Sequence, residues 1–361
     1  MSLFFIHSYV FFILSAVIVG AAVGWVLQRG RICMNSAFRD IIFIGDLTVF
    51  RAYVLALTVA ILGTNLLEDF GLISNLNRQE FAPLANVIGG YIFGIGMVFG
   101  GGCASGIWYR VGEGRFSSWI TVLGFVSGIF ITFEGALSKL NLFLRNYQLW
   151  VTDNGIRLLT SKNVEESWVR GIDLYPLTIY NLLGVNKWIV IAVLGVVAVI
   201  FIARGDFSRA TTGYSWYLSG GILGVIVPVS WWASWYWSGK ARGISFTGPT
   251  NELFKWIYFG DSPTWSVFML LGLLGGSFMS ARGLMECKLR TSSMATEMVT
   301  SFLGGIIMGI GSAIAGGCNI GHGLTGLSTL AVSSLVSIVF MLLGNWTTVY
   351  FLFIRSDDEE V

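Results

Sequence analysis

The sequence predicts an all-α polytopic membrane protein of two pseudo-symmetric, inverted repeats, with about nine transmembrane helices and short re-entrant half-helices. Three observations carry this. Hydrophobic residues make up 55% of the 361 and charged residues only 12%, against about 25% charged in a soluble domain. The apolar residues fall in long runs of the length a bilayer requires. One segment also occurs twice. Gly89-Gly90-Tyr-Ile-Phe-Gly94-Ile-Gly96-Met-Val-Phe-Gly-Gly101-Gly102-Cys103-Ala-Ser-Gly106 returns 215 positions later as Gly304-Gly305-Ile-Ile-Met-Gly309-Ile-Gly311-Ser-Ala-Ile-Ala-Gly316-Gly317-Cys318-Asn-Ile-Gly321. Ten of its eighteen positions are identical, and eight of those are Gly or Cys. The mean hydropathy of +0.74 agrees with the first observation.

The elements follow in chain order. The first span is 8–27, which lacks a small-residue cleavage site before Gln28 and so is expected to stay as a membrane helix. Residues 28–49 are half polar and are expected to dip into the membrane and return. Spans at 50–67, 85–102 and 118–137 complete a first repeat, 1–137. Residues 138–186 form the one long extramembrane stretch, a linker of mixed charge with Trp150 and Trp168. The second repeat, 187–354, holds spans at 187–203, 214–236, 264–281, 297–316 and 328–354, with a second half-polar piece at 239–257. The tail, 355–361, is acidic. Nine spans place the two ends on opposite sides, and an odd number of crossings per repeat inverts the halves. Arg and Lys occur in most loops, so charge gives no orientation.

Net charge is +2, so no basic nucleic-acid face is implied. The four cysteines include no CxxC and there are two histidines, which argues against a zinc or haem site. No cofactor is expected, and the chain is read as a transporter rather than an enzyme.

The candidate site lies at the two Gly-Gly-Cys breaks. Glycine lets the backbone turn sharply at Gly101, Gly102, Gly316 and Gly317. Helix starts expose unpaired N–H groups with partial positive charge. Two of them facing one another make an anion site without a fixed Lys or Arg. Cys33, in Arg31-Ile-Cys33-Met-Asn, lies 70 positions before Cys103, and Ser245, in Gly243-Ile-Ser245-Phe-Thr, lies 73 before Cys318. The repeat thus proposes three thiols and one hydroxyl at equivalent points. Thiol sulfur is soft and polarizable, so it suits an anion with an exposed sulfur better than sulfate. Asn319 is expected to cap the half-helix or donate to a ligand. His322 is either a proton donor or hydrogen-bonded structure. Arg110 and Glu113 are read as a pair at the membrane edge. Glu134 is either an intramembrane carboxylate or a span end. Cys287 has no repeat partner and is read as a small filler.

At Arg31-Ile-Cys33-Met-Asn-Ser-Ala-Phe-Arg-Asp40, Gly101-Gly-Cys-Ala-Ser-Gly106 and Gly316-Gly-Cys-Asn-Ile-Gly-His-Gly-Leu-Thr-Gly326 the chain resembles the YeeE/YedE family of sulfur-transport membrane proteins. It is most similar to the members that take up thiosulfate. The resemblance implies an hourglass-like body in the bacterial inner membrane, with short helices pointing into its waist. It implies thiosulfate passing by S–H···S contacts along Cys33, Cys103 and Cys318 for sulfur assimilation. It also implies a small TusA-like sulfurtransferase partner on the cytoplasmic side. Three alternatives stay open: a membrane sulfurtransferase that forms a cysteine persulfide, a transporter of selenium or other sulfur species, and a channel for small neutral species.

Overall fold

The structure is a computed structural model, and it describes residues 2–74, 76–152, 155–169, 173–207, 213–288 and 294–355. The chain runs through α1 (Ser2–Gly30), α2 (Met34–Phe43), α3 (Thr48–Asp69), α4 (Pro83–Phe99), α5 (Ala104–Gly112) and α6 (Phe116–Phe133). A connecting region follows: α7 (Ser138–Arg145), β1 (Tyr147–Thr152), β2 (Gly155–Thr160), α8 (Ser161–Val169), β3 (Tyr175–Pro176), α9 (Ile179–Leu183) and α10 (Lys187–Ala203). Then come α11 (Trp216–Ser238), α12 (Thr247–Phe259), α13 (Trp265–Gly283), α14 (Ala295–Ala315), a π-helical turn (Gly321–Gly326) and α15 (Val332–Val349), which continues into a second π-helical stretch (Tyr350–Ile354).

All nine expected spans coincide with helices. Among the described residues, eight segments are long and apolar enough to cross a membrane. The exception is α10, with 17 residues. At 1.5 Å per residue it is about 25 Å long, slightly under a hydrocarbon core of about 30 Å. Its exposed face is Ile189, Val193, Val196, Val197 and Ile200, which suits lipid. The expected linker is structured. β2-β1-β3 form an antiparallel sheet with Trp150↔Arg157 in register. Trp150 is buried and meets the Trp168 ring edge-on at 6.0 Å. Asp153 and Arg170 of this stretch, and the acidic tail beyond Arg355, lie outside the described residues.

Glycines set the helix packing, because each lets two backbones touch. Gly20 and Gly24 of α1 lie on Met269 and Leu273 of α13, so these helices run parallel. Gly220 and Gly224 of α11 lie on Ala52 and Ala56 of α3, also in parallel. In the centre α4 and α14 run antiparallel, with Gly96 against Met308 and Gly311 against Phe93. Both pairs obey the 215-position offset, so one contact recurs in each direction. Gly90 and Gly94 seat α4 on α15, as Gly305 and Gly309 seat α14 on α6. Each of these pairings between the two sets of helices therefore has a counterpart with the sets exchanged. The glycines ahead of each break serve helix packing, and Gly-Gly-Cys itself does not.

Each set has four long helices, α1, α3, α4 and α6, then α11, α13, α14 and α15. Four crossings return a chain to its starting side. The shorter apolar helix α10 lies between the sets.

Candidate functional site

Both Gly-Gly-Cys segments break the chain as expected. Gly101 (φ 65°) and Gly316 (φ 87°) take the left-handed conformation that glycine tolerates. The next residues turn inward, and Cys103 and Cys318 are buried. Cys103 is the N-cap of α5, and its sulfur accepts the Gly106 N–H at 3.4 Å. Cys318 opens the helical run 319–328 in the same way, and its sulfur accepts the Gly321 N–H at 3.4 Å. The thiols thus do what Ser or Asp does at ordinary helix starts.

The second pair of positions is also brought in. The Cys33 thiol donates to Cys103 Sγ at 3.7 Å, and the Met34 N–H donates to Cys103 Sγ at 3.3 Å. A Cβ on Gly106 would lie 2.9 Å from Cys33 Sγ and 3.3 Å from Cys103 Sγ. A Cβ on Gly321 would lie 2.9 Å from Ser245 Oγ and 3.7 Å from Cys318 Sγ. Gly106 therefore holds Cys33 and Cys103 as Gly321 holds Ser245 and Cys318. Among the described residues no hydrogen bond joins the two pairs, so the polar sulfurs and oxygen form two stations.

Two cavities lie near the stations, and Ser245 and Gly321 line the second. One, of about 270 Å³, is lined by Ser36, Tyr109 and Arg110 beyond the C-terminal end of α4. The other, of about 940 Å³, is lined by Gln79, Ser245, Gly316, Gly321 and Thr325 beside the N-terminal end of α4. The cavities therefore lie at opposite ends of a helix about 25 Å long.

Several residues differ from the expectation. Arg110 lines a cavity together with Glu113, and its Nη1 donates to the Gly101 carbonyl at 2.8 Å, at the negative end of α4. Arg145 of α7 takes a similar place at the other break, where a Cβ on Gly316 would lie 2.9 Å from its Nη1. Fixed cations therefore do stand at the breaks. Arg145 gave no signal in the sequence, because it comes from the linker and has no repeat partner. Asn319 does not cap, since Cys318 does. Asn319 is fully buried, and neither its Oδ1 nor its Nδ2 has a hydrogen-bond partner. His322 is hydrogen-bonded on both sides: Nδ1 meets Ser334 Oγ and Nε2 meets the Ala315 carbonyl, both at 3.2 Å. A Cβ on Gly317 would lie 3.1 Å from that imidazole. Glu134 ends α6 and pairs with Lys255 at the surface, so it is a span end. Cys287 is exposed rather than a filler.

The arrangement offers S–H and N–H donors in a buried, narrow place. Two backbone N–H groups point at the Cys103 sulfur, so its own proton is directed outward, to a neighbour or a guest. Such a place suits a small anion with a polarizable end.

A family model described as sulphur transport matches residues 29–347. The chain is 35% identical over 343 residues to the thiosulfate transporter TsuA of Spirochaeta thermophila, which covers 94% of this chain and 99% of that one. It is 33% identical over 351 residues to the thiosulfate transporter TsuA of Escherichia coli K12, covering 95% of each. The probable transporter YedE of Escherichia coli K12 is 34% identical over 113 residues, 31% of this chain and 27% of that one.

Proposed function

The chain belongs to the sulphur-transport family, the YeeE/YedE family its motifs resemble, and on that premise we propose that it carries thiosulfate across the bacterial inner membrane for sulfur assimilation. The observation that carries the reading is the matched contact at Gly106 and Gly321. Each brings a cysteine at a helix start together with a second small polar side chain, with a cavity nearby.

The transport body is two inverted halves, 1–137 and 187–354. The reading is supported by the matched packing partners and by the antiparallel α4 and α14. Thiosulfate moves between the cavities through the waist. Its terminal sulfur is passed among Cys33, Cys103 and Cys318, with Ser245 in the fourth place. The breaks at Gly101, Gly102, Gly316 and Gly317 bring the helix starts to the ion, and their N–H groups favour its charge. Asn319 meets one of its oxygens. A buried amide without partners costs about 1–3 kcal/mol, which a passing ion offsets. A TusA-like protein receives the ion on the cytoplasmic side.

The test is uptake of radiolabelled thiosulfate into proteoliposomes, with cold sulfate, sulfite or selenite as competitors. Uptake that outlasts excess sulfate and vanishes in Cys103→Ala and in Cys318→Ala is expected. Full uptake by either variant sinks the thiol route. Intact mass after turnover separates the sulfurtransferase alternative, which requires a persulfide on Cys103 or Cys318.

A further inference from the structure

The two cavities hold their cations differently, and the difference centres on Arg110. We propose that the cavity beside Cys33 and Cys103 is a separate oxyanion station, which holds an anion by its oxygens, and that Arg110 is its specificity-determining residue. The inference rests on the transport reading and adds to it a second way of gripping the same ion.

Arg110 lies on α5, seven residues after Cys103, and its Nη1 is held by the Gly101 carbonyl. A Cβ on Gly102 would lie 2.9 Å from that nitrogen, so glycine is what lets the guanidinium rest over the break. The Gly101 carbonyl and the Tyr109 side chain engage the guanidinium, and the rest of its five-donor fork stays available. The cavity is lined by Arg31, Arg110, Arg115 and Lys288 against Glu113 and Glu286, an excess of two positive charges in about 270 Å³. Arg31 is engaged by Glu286 at 2.6 Å, while Arg110 rests on a neutral carbonyl.

The opposite cavity is built differently. At the repeat position of Arg110 stands Thr325, whose hydroxyl donates to the Ile244 carbonyl. Its two arginines face carboxylates: Arg78 lies 2.7 Å from Glu68, and Arg242 lies against Glu252. It is also more than three times as large, at about 940 Å³. The tight cavity with the carbonyl-anchored arginine is therefore the better oxyanion trap. A guanidinium matches the oxygen pair of a sulfonate or sulfate group, and thiols match a terminal sulfur. Thiosulfate engages both. Sulfate engages only Arg110, so it binds there without passing the thiols.

The test uses sulfate as the probe. Sulfate should raise the melting temperature of the purified protein, and Arg110→Thr, which copies the other half, should abolish the rise. Cys103→Ala should keep the rise while losing thiosulfate uptake. In proteoliposomes Arg110→Thr should raise KM for thiosulfate on the order of tenfold with a smaller change in kcat. A purely structural Arg110 would instead lower the melting temperature without moving KM. Should Arg110→Thr not fold, Arg110→Lys keeps the charge but loses the fork, and its response to sulfate should be intermediate. A sulfate response unchanged in Arg110→Thr or Arg110→Lys overturns the station and leaves the transport reading standing. A response that depends on Arg110 in a protein that takes up no thiosulfate keeps the station and removes the substrate.

Discussion

Cys33 Sγ lies 3.7 Å from Cys103 Sγ, although 70 residues separate them in the chain. A disulfide requires about 2.05 Å, so the sulfurs must approach by less than ~2 Å. In a Cys287→Ser background, diamide should join these two residues, shown by a cross-linked peptide and the mass loss of two hydrogens. Uptake should stop and return with reductant. A cross-linked protein that still transports would take both thiols off the route.

The closeness of the two thiols depends on Gly106. An alanine there would set a methyl 2.9 Å from Cys33 Sγ and 3.3 Å from Cys103 Sγ. Overpacking of this kind costs about 1–3 kcal/mol. Gly106→Ala should lose most uptake and melt earlier, and Gly321→Ala should behave alike. Gly275→Ala is the control, because its Cβ would meet nothing within 4 Å. It should be neutral, or more stable by about 0.5–1 kcal/mol from helix propensity. Melting and uptake measured on the same preparations decide the matter.

Ser245 stands where Cys33 stands, across Gly321 from Cys318. Ser245→Cys should therefore retain uptake and become sensitive to oxidation through a second pair. Peptide mapping in a Cys33→Ser, Cys287→Ser background isolates it. If Cys318 forms no link in that background, the equivalence of the two stations is wrong.

The two stations were legible to different degrees. Cys103 and Cys318 stood out because the same residues frame both, and in the structure both thiols accept the N–H three residues on at a helix start. The Ser245 match was weak in sequence, since Ile followed by a small polar residue is common, and only the contact at Gly321 makes it specific. The Cys33–Cys103 contact joins separate helices and leaves no local trace. The carbonyl that Arg110 caps belongs to the break itself, so an apolar run that ends in a charge does not reveal its Gly101 partner. The nine apolar runs were plain, but the run at 187–203 does not show that its helix is shorter than the other eight and stands between the two sets.

Glu134 was an intramembrane candidate by hydropathy, and the structure makes it a surface partner of Lys255, with side-chain exposures of 39% and 34%. Exposed pairs contribute roughly 0–1 kcal/mol. Glu134→Gln should leave uptake unchanged and shift stability by no more than that. A large loss of uptake with intact folding would return Glu134 to the pathway.

Glu113 faces Arg110 and Arg115 at the tight cavity, and burial raises its carboxyl above the usual range despite both cations. The folded protein therefore holds this proton more tightly than the unfolded chain does. Its stability contribution is present at low pH and is lost as pH rises through the raised value. Charge follows the same window: as pH falls just above the ordinary carboxylate range, Glu113 becomes neutral and the cavity gains net positive charge. Gln28 and Glu286 also touch or face this group, and Glu286 stays engaged by Arg31. KM for thiosulfate should thus fall on acidification across that window in the wild type. In Glu113→Gln, KM should already be low at neutral pH and stay flat. Equal slopes in the two proteins would mean that the pH response belongs elsewhere and that Glu113 does not set the charge the ion meets.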